Sequence, residues 1–445
     1  MSATEKFKSV ARVLKLDSHH AIERFGIIFT TMCVMAVMLL VSSGVSAISN
    51  NRAALDSKVI YTSQFTTSRT QLEGSVPGVY VSPDRTRMLV MMHFRDSTKI
   101  STLADNYQAF MTGSSMNLQQ EPLKGEMTGQ IVVFGSTGFL GMVVDSDRPF
   151  EQQILSLTMR ANSELVYSKG DSRVRSDLRN DESFISNDQW RLYVNPGASG
   201  AQVAQSLSGR TLNPSAIFYE LVTKPKEDEI RTQLDDTLGT MKASLSRIAE
   251  FEDALGRTPS VDGDFLVNPR VPTPQQALLP ISGDQVTGEP ASTVTGEESE
   301  STMELETDWV GTDGFMFDWR SGSIQEGYLD DLVPQGQRYG EWMAGKLASG
   351  RAQGDSGSNR FQSSKIEWTM TDGSLLKDHE TARTPGMTDV LTLRTNLANT
   401  YDEYWKQKKA YQVDLPVQLL NMELELRGLE QTVSINSTDK ALLTY

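Results

Sequence analysis

Gly78-Val79-Tyr80-Val81, then Ser82-Pro83-Asp84-Arg85-Thr86, then Arg87-Met88-Leu89-Val90-Met91-Met92-His93-Phe94 is the stretch that sets the fold class. Two runs of β-branched and large apolar side chains flank a short segment holding Pro and Asp. Proline presets φ for a turn and Asp bonds its own backbone, so the stretch reads as a β-hairpin. A second hairpin follows in Gln130-Ile131-Val132-Val133-Phe134, a Gly-rich turn and Phe139-Leu140-Gly141-Met142-Val143-Val144. Further strands are predicted at 153–159, 189–194 and 215–222, with a short helix over 101–111. Residues 59–223 therefore read as a β-rich domain of sandwich or barrel type.

Downstream the period changes. Ile230, Leu234, Leu238, Met241, Leu245, Ile248 and Leu255 recur every three to four residues, which is one apolar stripe on a helix over 226–256. Glu227, Asp228 and Glu229 suit its first turn, Gly256 its end, and Pro259 stops it. Residues 258–308 read as a Pro-rich and then acidic linker, too polar to offset chain entropy by burial. Residues 309–385 regain aromatic content, with Phe317-Asp318-Trp319 and Ile324 read as strand and turn, and Ser349–Ser358 as a Gly/Ser-rich loop. Val390, Leu393, Leu397, Tyr401, Tyr404, Lys408 and Tyr411 mark a second long helix at 387–413, which Pro416 interrupts before a third at 416–431. The C-terminal long helices span 387–431. They are expected to pair antiparallel with 226–256 or to form a stalk, with the Trp-rich α+β region inserted at the far end. Separate packing of each helix on its nearest β-domain is the alternative.

Upstream, no charged residue lies between Arg24 and Arg52. Residues 25–48 contain enough consecutive apolar side chains for a transmembrane helix, whose expected partner is membrane lipid. Residues 1–24 carry more Lys and Arg than acid, which predicts a cytoplasmic tail and an extracytoplasmic remainder. Val45-Ser46-Ala47 offers the competing reading of a cleaved signal peptide, although a 24-residue lead is long for one. Ser42/Ser46 and Ser43/Ala47 put small residues four apart, a weak helix-packing motif. Cys33 is the only cysteine and lies mid-span, so it reads as an ordinary buried thiol rather than a lipoprotein anchor. No disulfide and no cysteine metal cluster can form within the chain. A large exported part without cysteine favours a bacterial surface.

Acid exceeds base, 57 residues to 42, for a net charge of −15. That balance argues against a nucleic-acid partner, which demands a basic face. The chemical motifs are sparse. Val133-Phe134-Gly135-Ser136-Thr137-Gly138-Phe139-Leu140-Gly141 resembles the nucleotide fingerprint of extended short-chain dehydrogenases. That resemblance implies a helix opening on a pyrophosphate, whereas residues 139–144 read as a strand, and Tyr404 and Lys408 are the only Tyr-x-x-x-Lys spacing of the kind such enzymes use. Leu279-Pro280-Ile281-Ser282-Gly283 resembles a cell-wall sorting signal, yet lacks the apolar stretch and basic tail just after it. Asp262-Gly263-Asp264 and Asp308…Asp313-Gly314…Asp318 supply clustered oxygens without the Asp-x-Asp-x-Asp-Gly pattern of a calcium loop. His93 and His379 lack a nucleophile elbow, and His19 and His20 are juxtamembrane. Asn436-Ser437-Thr438 matches a glycosylation acceptor at the level of chance. No catalytic, cofactor-binding or metal-binding residue is assigned, and no cofactor.

The sequence supports a membrane-anchored, mixed fold with one N-terminal transmembrane helix. The function expected is not enzymatic: a scaffolding subunit of a bacterial cell-envelope assembly of secretion or conjugation type. Its partners would be other envelope proteins, with self-association through the long helices as a further expectation. A surface receptor or adhesin using the Trp-rich region, tested at Trp319 and Trp342, is the second reading. An exported hydrolase with a carboxylate site is the third.

Overall fold

The computed structural model describes residues 29, 32–33, 55–115, 119–162, 187–209, 211–257, 266–270, 284–288, 292–294, 297–299, 304–307, 315, 317–354, 367–370, 373–380, 385–436 and 441–444. Phe29, Met32 and Cys33 are helical. The remainder of the tail 1–24 and of the span 25–48, with His19, His20 and Val45–Ala47, lies outside the described residues. So do Trp309, the 262–264 and 308–314 acidic motifs and Leu279–Gly283. Among the described residues, no helix is long and apolar enough to cross a membrane. The chain divides into two compact units, Met1–Arg210 with Ser434–Tyr445, and Thr211–Val433.

The first unit begins with β1 (Gln64–Thr66), β2 (Glu73–Val81) and β3 (Arg87–Phe94). Next come β4 (Tyr107–Ser114), β5 (Gln120–Glu121), β6 (Met127–Val133), β7 (Phe139–Ser146), β8 (Ile154–Ala161), β9 (Gln189–Val194) and β10 (Gln202–Val203). They sort into two mainly antiparallel sheets. One runs β1-β2-β3-β7-β6 with β10 beside β2, and the other runs β4-β8-β9 with β5 beside β4. The layout is sandwich-like. Tyr107, Ala109 and Met111 on β4 and Leu155, Leu157 and Met159 on β8 are buried, while the residues between them are half-exposed. This period of two is the pleat of a sheet with one wet face.

Aromatic rings tie the sheets together. Phe65 and Phe94 come from one sheet and Tyr107 and Trp190 from the other. Phe65 stacks on Trp190 at 5.7 Å, and Phe94 meets the same indole edge-on at 5.3 Å. Such pairs add about 0.5–1.5 kcal/mol each beyond area burial. The indole Nε1–H is not wasted, since it lies 3.4 Å from Met92 Sδ.

Both sequence-predicted hairpins are present, in register Val81↔Met88 and Val133↔Leu140. Two expectations are overturned. Residues 101–111 hold only a 3₁₀ turn at Ala104–Asn106 before β4, because β4 alternates with period two and pairs with β8 along its whole length. Residues 215–222 are helical rather than a strand. Asn213 caps them, its Oδ1 accepting from the Ala216 amide at 3.2 Å, and Pro214 supplies a preset φ in the first turn.

The second unit is built on two long helical runs. The first comprises α1 (Pro214–Phe218), a π turn (Tyr219–Thr223) and α2 (Lys224–Arg257). The other comprises α5 (Pro385–Lys409), a π turn (Ala410–Asp414) and α6 (Leu415–Thr432), while α3 (Leu329–Leu332) and α4 (Tyr339–Gly354) lie between the runs. Pro416 does not interrupt the second run, and Pro225 does not start the first. A proline has no N–H for the ladder and its ring clashes with the carbonyl four residues back. A π turn just upstream widens the helix there, so each run continues through its proline. The runs are antiparallel, since Ser244 Oγ donates to Gln407 at 3.0 Å and Tyr401 Oη donates to Glu252 at 2.5 Å. The predicted stripe is buried at Ile230, Leu234, Met241, Leu245, Ile248 and Leu255. α2 alone has 34 residues, about 50 Å of helix.

Between the runs, β11 (Leu266–Arg270) pairs with β16 (Glu367–Met370). β12 (Gln285–Thr287) pairs with β15 (Glu304–Glu306), and β13 (Ser292–Val294) with β14 (Glu297–Ser299). The linker reading of 258–308 is thus corrected in part. Val286 and Leu305 pack, partly buried, on the core formed by Met241, Leu245, Trp368, Val390, Leu397 and Tyr404, a contact that low average hydropathy conceals. Two local readings also change. Phe317–Trp319 and Ile324 form turns rather than a strand, and helix α4 continues to Gly354 through the Gly/Ser-rich segment.

The chain then returns to the first unit. β17 (Ser434–Asn436) pairs antiparallel with β6, and β18 (Leu442–Thr444) pairs parallel with β4. The second unit is therefore an insertion, and the last residues supply one strand to each sheet.

Candidate functional site

Glu227 and Arg231 lie four apart on α2, and Glu423 and Arg427 four apart on α6. That spacing puts each pair on one helix face. Both faces grip the same segment, residues 319–332. Glu227 Oε1 accepts from Arg231 Nη2 at 2.8 Å, from the Ile324 amide at 3.0 Å and from Tyr328 Oη at 3.3 Å. Its Oε2 accepts from Tyr219 Oη at 3.4 Å. Arg231 also donates to Tyr328 Oη at 2.7 Å and to the Gly322 carbonyl. From the other helix, Glu423 Oε2 accepts from the Tyr328 amide at 2.8 Å and the Leu329 amide at 3.1 Å, which caps α3. Glu423 Oε1 takes Arg427 Nε at 2.9 Å, and Arg427 Nη2 continues to Asp330 at 2.7 Å. The Tyr339 ring lies under the Arg427 guanidinium at 4.7 Å.

Tyr328 is the centre of this clamp, with its hydroxyl held by α2 and its amide by α6. Burial pushes its phenol up to about 12, and burial likewise sets the Glu423 carboxyl above the ordinary range. Asp330 is held below the ordinary carboxylate range by the Arg427 guanidinium and then the Tyr339 hydroxyl. An ionised carboxylate offers about four acceptor positions. Glu227 and Glu423 direct theirs at groups of the same unit, so the geometry is that of a fastening that docks a segment on two helices.

A second buried fastening lies further along α5. Lys408 Nζ and Tyr404 Oη both reach Asp284 Oδ2 at 2.6 Å, and Lys408 and Asp284 side chains are 2% and 0% exposed. Tyr404 and Lys408 are the Tyr-x-x-x-Lys spacing seen in the sequence. Here the pair ties the start of the 285–306 ribbon to the helix. Burial and then Asp284 raise the Tyr404 phenol, opposite to the shift a catalytic tyrosinate uses. At the ribbon's other end Gln412 Nε2 approaches Thr307 Oγ1 at 3.5 Å.

The remaining sequence motifs resolve into local structure. Gly135 and Gly138 have positive φ of 55° and 86° in the β6–β7 turn, and the strand β7 follows them. The Phe94 amide donates to the Gly138 carbonyl at 2.9 Å, so this turn braces β3. Asp318 accepts from the amides of Arg320 and Ser321 in a turn. The His93 ring packs on Phe139 with centroids 4.4 Å apart. His379 Nε2 and Ser374 Oγ are 2.9 Å apart at the 3₁₀ turn Leu376–Asp378. Asn436 is buried in β17. Trp319 is buried, with Arg320 stacked on it at 4.8 Å, and Trp342 is half-buried against Phe315. Among the described residues, no group of three or more His, Cys, Asp and Glu side chains is placed to hold a metal ion.

The sequence carries no signal specific to the clamp. Glu-x-x-x-Arg was legible on both helices, but the same spacing marks countless solvated helix faces. Comparison with family models, curated proteins and solved structures finds no match for this chain.

Proposed function

We propose that the protein is a membrane-anchored scaffold, a structural subunit of a bacterial envelope assembly, with residues 25–48 in the bilayer and the two units outside. The observation that carries this reading is the clamped helix pair. Two long antiparallel helices are pinned by buried polar groups at several points, at Glu227, Glu423 and Asp284. Such pinning gives a strut that holds its shape while partners bind, which is what a scaffold requires. The uncharged stretch after Arg24 supplies the anchor, and the preceding basic residues orient it. The helix faces also offer a route to self-association.

The test is cross-linking in living cells, detergent purification and mass spectrometry. A stoichiometric set of other membrane proteins supports the scaffold. Recovery of the chain alone, or only with its own copies, counts against it. The receptor reading draws less support, because Trp319 is enclosed by its own unit rather than presented to a ligand.

A further inference from the structure

The outer face of the β4-β8-β9 sheet differs from the rest of the chain. Those three strands contain no Asp or Glu, although acid dominates overall. Their wet face presents two arginines, Arg160 and Arg191, among aromatic and hydroxyl side chains. Neither arginine meets a carboxylate among the described residues. The Arg160 Cζ lies 4.9 Å from the Phe110 ring centroid, and its Nε is buried with no hydrogen-bond partner among the described residues. Among the described residues, Arg191 Nε donates to Thr158 Oγ1 at 3.1 Å, and the side chain is exposed. Cross-strand pairing sets Arg191 opposite Thr158, and Thr158 opposite Phe110, so the two guanidiniums share one patch.

The N-terminal arm extends this face. An antiparallel bridge between Ile60 and Val194 lays the arm along β9, and the Tyr61 amide donates to the Tyr193 carbonyl at 2.9 Å. Tyr61 thus stands opposite Tyr193 on the same side, with the Lys58 ammonium 4.8 Å above its ring. Six residues, 49–54, separate the predicted span from Leu55, so the arm begins within about 25 Å of the bilayer edge.

We infer that this face docks on the membrane surface and takes the phosphate headgroups of anionic lipids. A guanidinium held against an aromatic ring can still direct its terminal Nη groups at phosphate oxygens, while the Arg160 Nε stays buried. Tyrosine and a lysine beside it are the side chains that interfacial regions favour. The inference rests on the anchoring reading above and adds to it an orientation, with the β4-β8-β9 face turned to the lipid.

The experiment uses the full chain with Cys33→Ser and Ser156→Cys, a bimane fluorophore at position 156, and reconstitution in nanodiscs. One set contains phosphatidylcholine only and the other adds phosphatidylglycerol, each with headgroup-proximal spin-labelled lipid as quencher. Insertion is verified by resistance to alkaline carbonate in vesicles of the same composition. Strong quenching in anionic discs, weak in zwitterionic discs, is expected. Arg160→Gln with Arg191→Gln should lower the docked-to-undocked ratio about 25-fold, at about 5-fold for each basic residue near an anionic surface. An inserted chain with no quenching, or with quenching indifferent to lipid charge and to both arginines, overturns the docking alone. Extraction by carbonate overturns the anchoring and the docking with it. An arginine-dependent cross-link from this face to an acidic protein, in place of lipid contact, overturns it in favour of a peptide ligand.

Discussion

Replacing Glu423 by Ala should undo half of the clamp. In the structure its carboxylate accepts from the amides of Tyr328 and Leu329 and from Arg427. Its side chain is 1% exposed, so water does not readily substitute for those oxygens. Two amides lose a charged acceptor, and a donor stranded out of water forfeits about 1–3 kcal/mol. Arg427 keeps Asp330, which softens the loss on that side. A net destabilisation of about 3–5 kcal/mol is expected, within the range for breaking a buried pair by removing one partner. The assay is urea unfolding of the full chain followed by tryptophan fluorescence. Trp309, Trp319, Trp342, Trp368 and Trp405 fall in the second unit and Trp190 in the first, so the fluorescence change is dominated by the second-unit transition. The loss should appear in the second-unit transition only. Limited proteolysis should then cut between residues 319 and 332 faster than in the parent chain. Glu423→Gln, which keeps an acceptor oxygen, should lose less than Glu423→Ala. A shift under about 1 kcal/mol for Glu423→Ala would refute the clamp as an energetic element.

Other expectations follow from the same reasoning. Lys408→Met should destabilise the second unit by about 3–5 kcal/mol by leaving Asp284 charged and buried, and adding Asp284→Leu should restore most of it in a double-mutant cycle. Tyr328 ionises near 10 when unfolded and at about 12 when folded, so its contribution is full below pH 10 and is lost as pH rises from 10 towards 12. Tyr328→Phe should flatten that alkaline loss of stability, read as absorbance at 295 nm against unfolding. Asp330 titrates below its ordinary range, so its contribution holds above the ordinary carboxylate range and fades as pH falls through it. The effect should be small because the group is half-exposed, and Asp330→Asn should abolish it. Gly138→Ala should cost about 1–2 kcal/mol in the first unit, since φ is +86° and the added Cβ would sit 3.0 Å from the Phe94 carbonyl oxygen. Deleting residues 434–445 should expose the edges of β6 and β4, measured as a lower first-unit midpoint and faster amide exchange in those strands.

The legible parts share a physical feature. Hairpins β2–β3 and β6–β7 join strands through five-residue turns, so turn chemistry and the continuous apolar runs beside it specify them within a short window. The stripe from Ile230 to Leu255 is equally local, since one helix face must be apolar to be buried. Two departures from the local pattern have tertiary or capping causes. At 101–111 pairing with β8 outweighs a weak helix pattern, and at 213–218 the Asn-Pro cap starts a helix where the apolar run alone reads as a strand.

By itself the sequence determined the acid excess, the uncharged stretch at 25–48, the two strand–turn–strand hairpins and the two apolar helix stripes. Each is a statement about residues a few positions apart, where side-chain period and turn chemistry act. Only the tertiary structure decided that Ser434–Asn436 and Leu442–Thr444 add a strand to each sheet beside β6 and β4, some three hundred residues earlier, that two ordinary Glu-x-x-x-Arg spacings converge on Tyr328, and that Asp284 meets Lys408. Those pairings join segments far apart in the chain. Their energy depends on shared burial and on which donor faces which acceptor, and a linear pattern encodes neither.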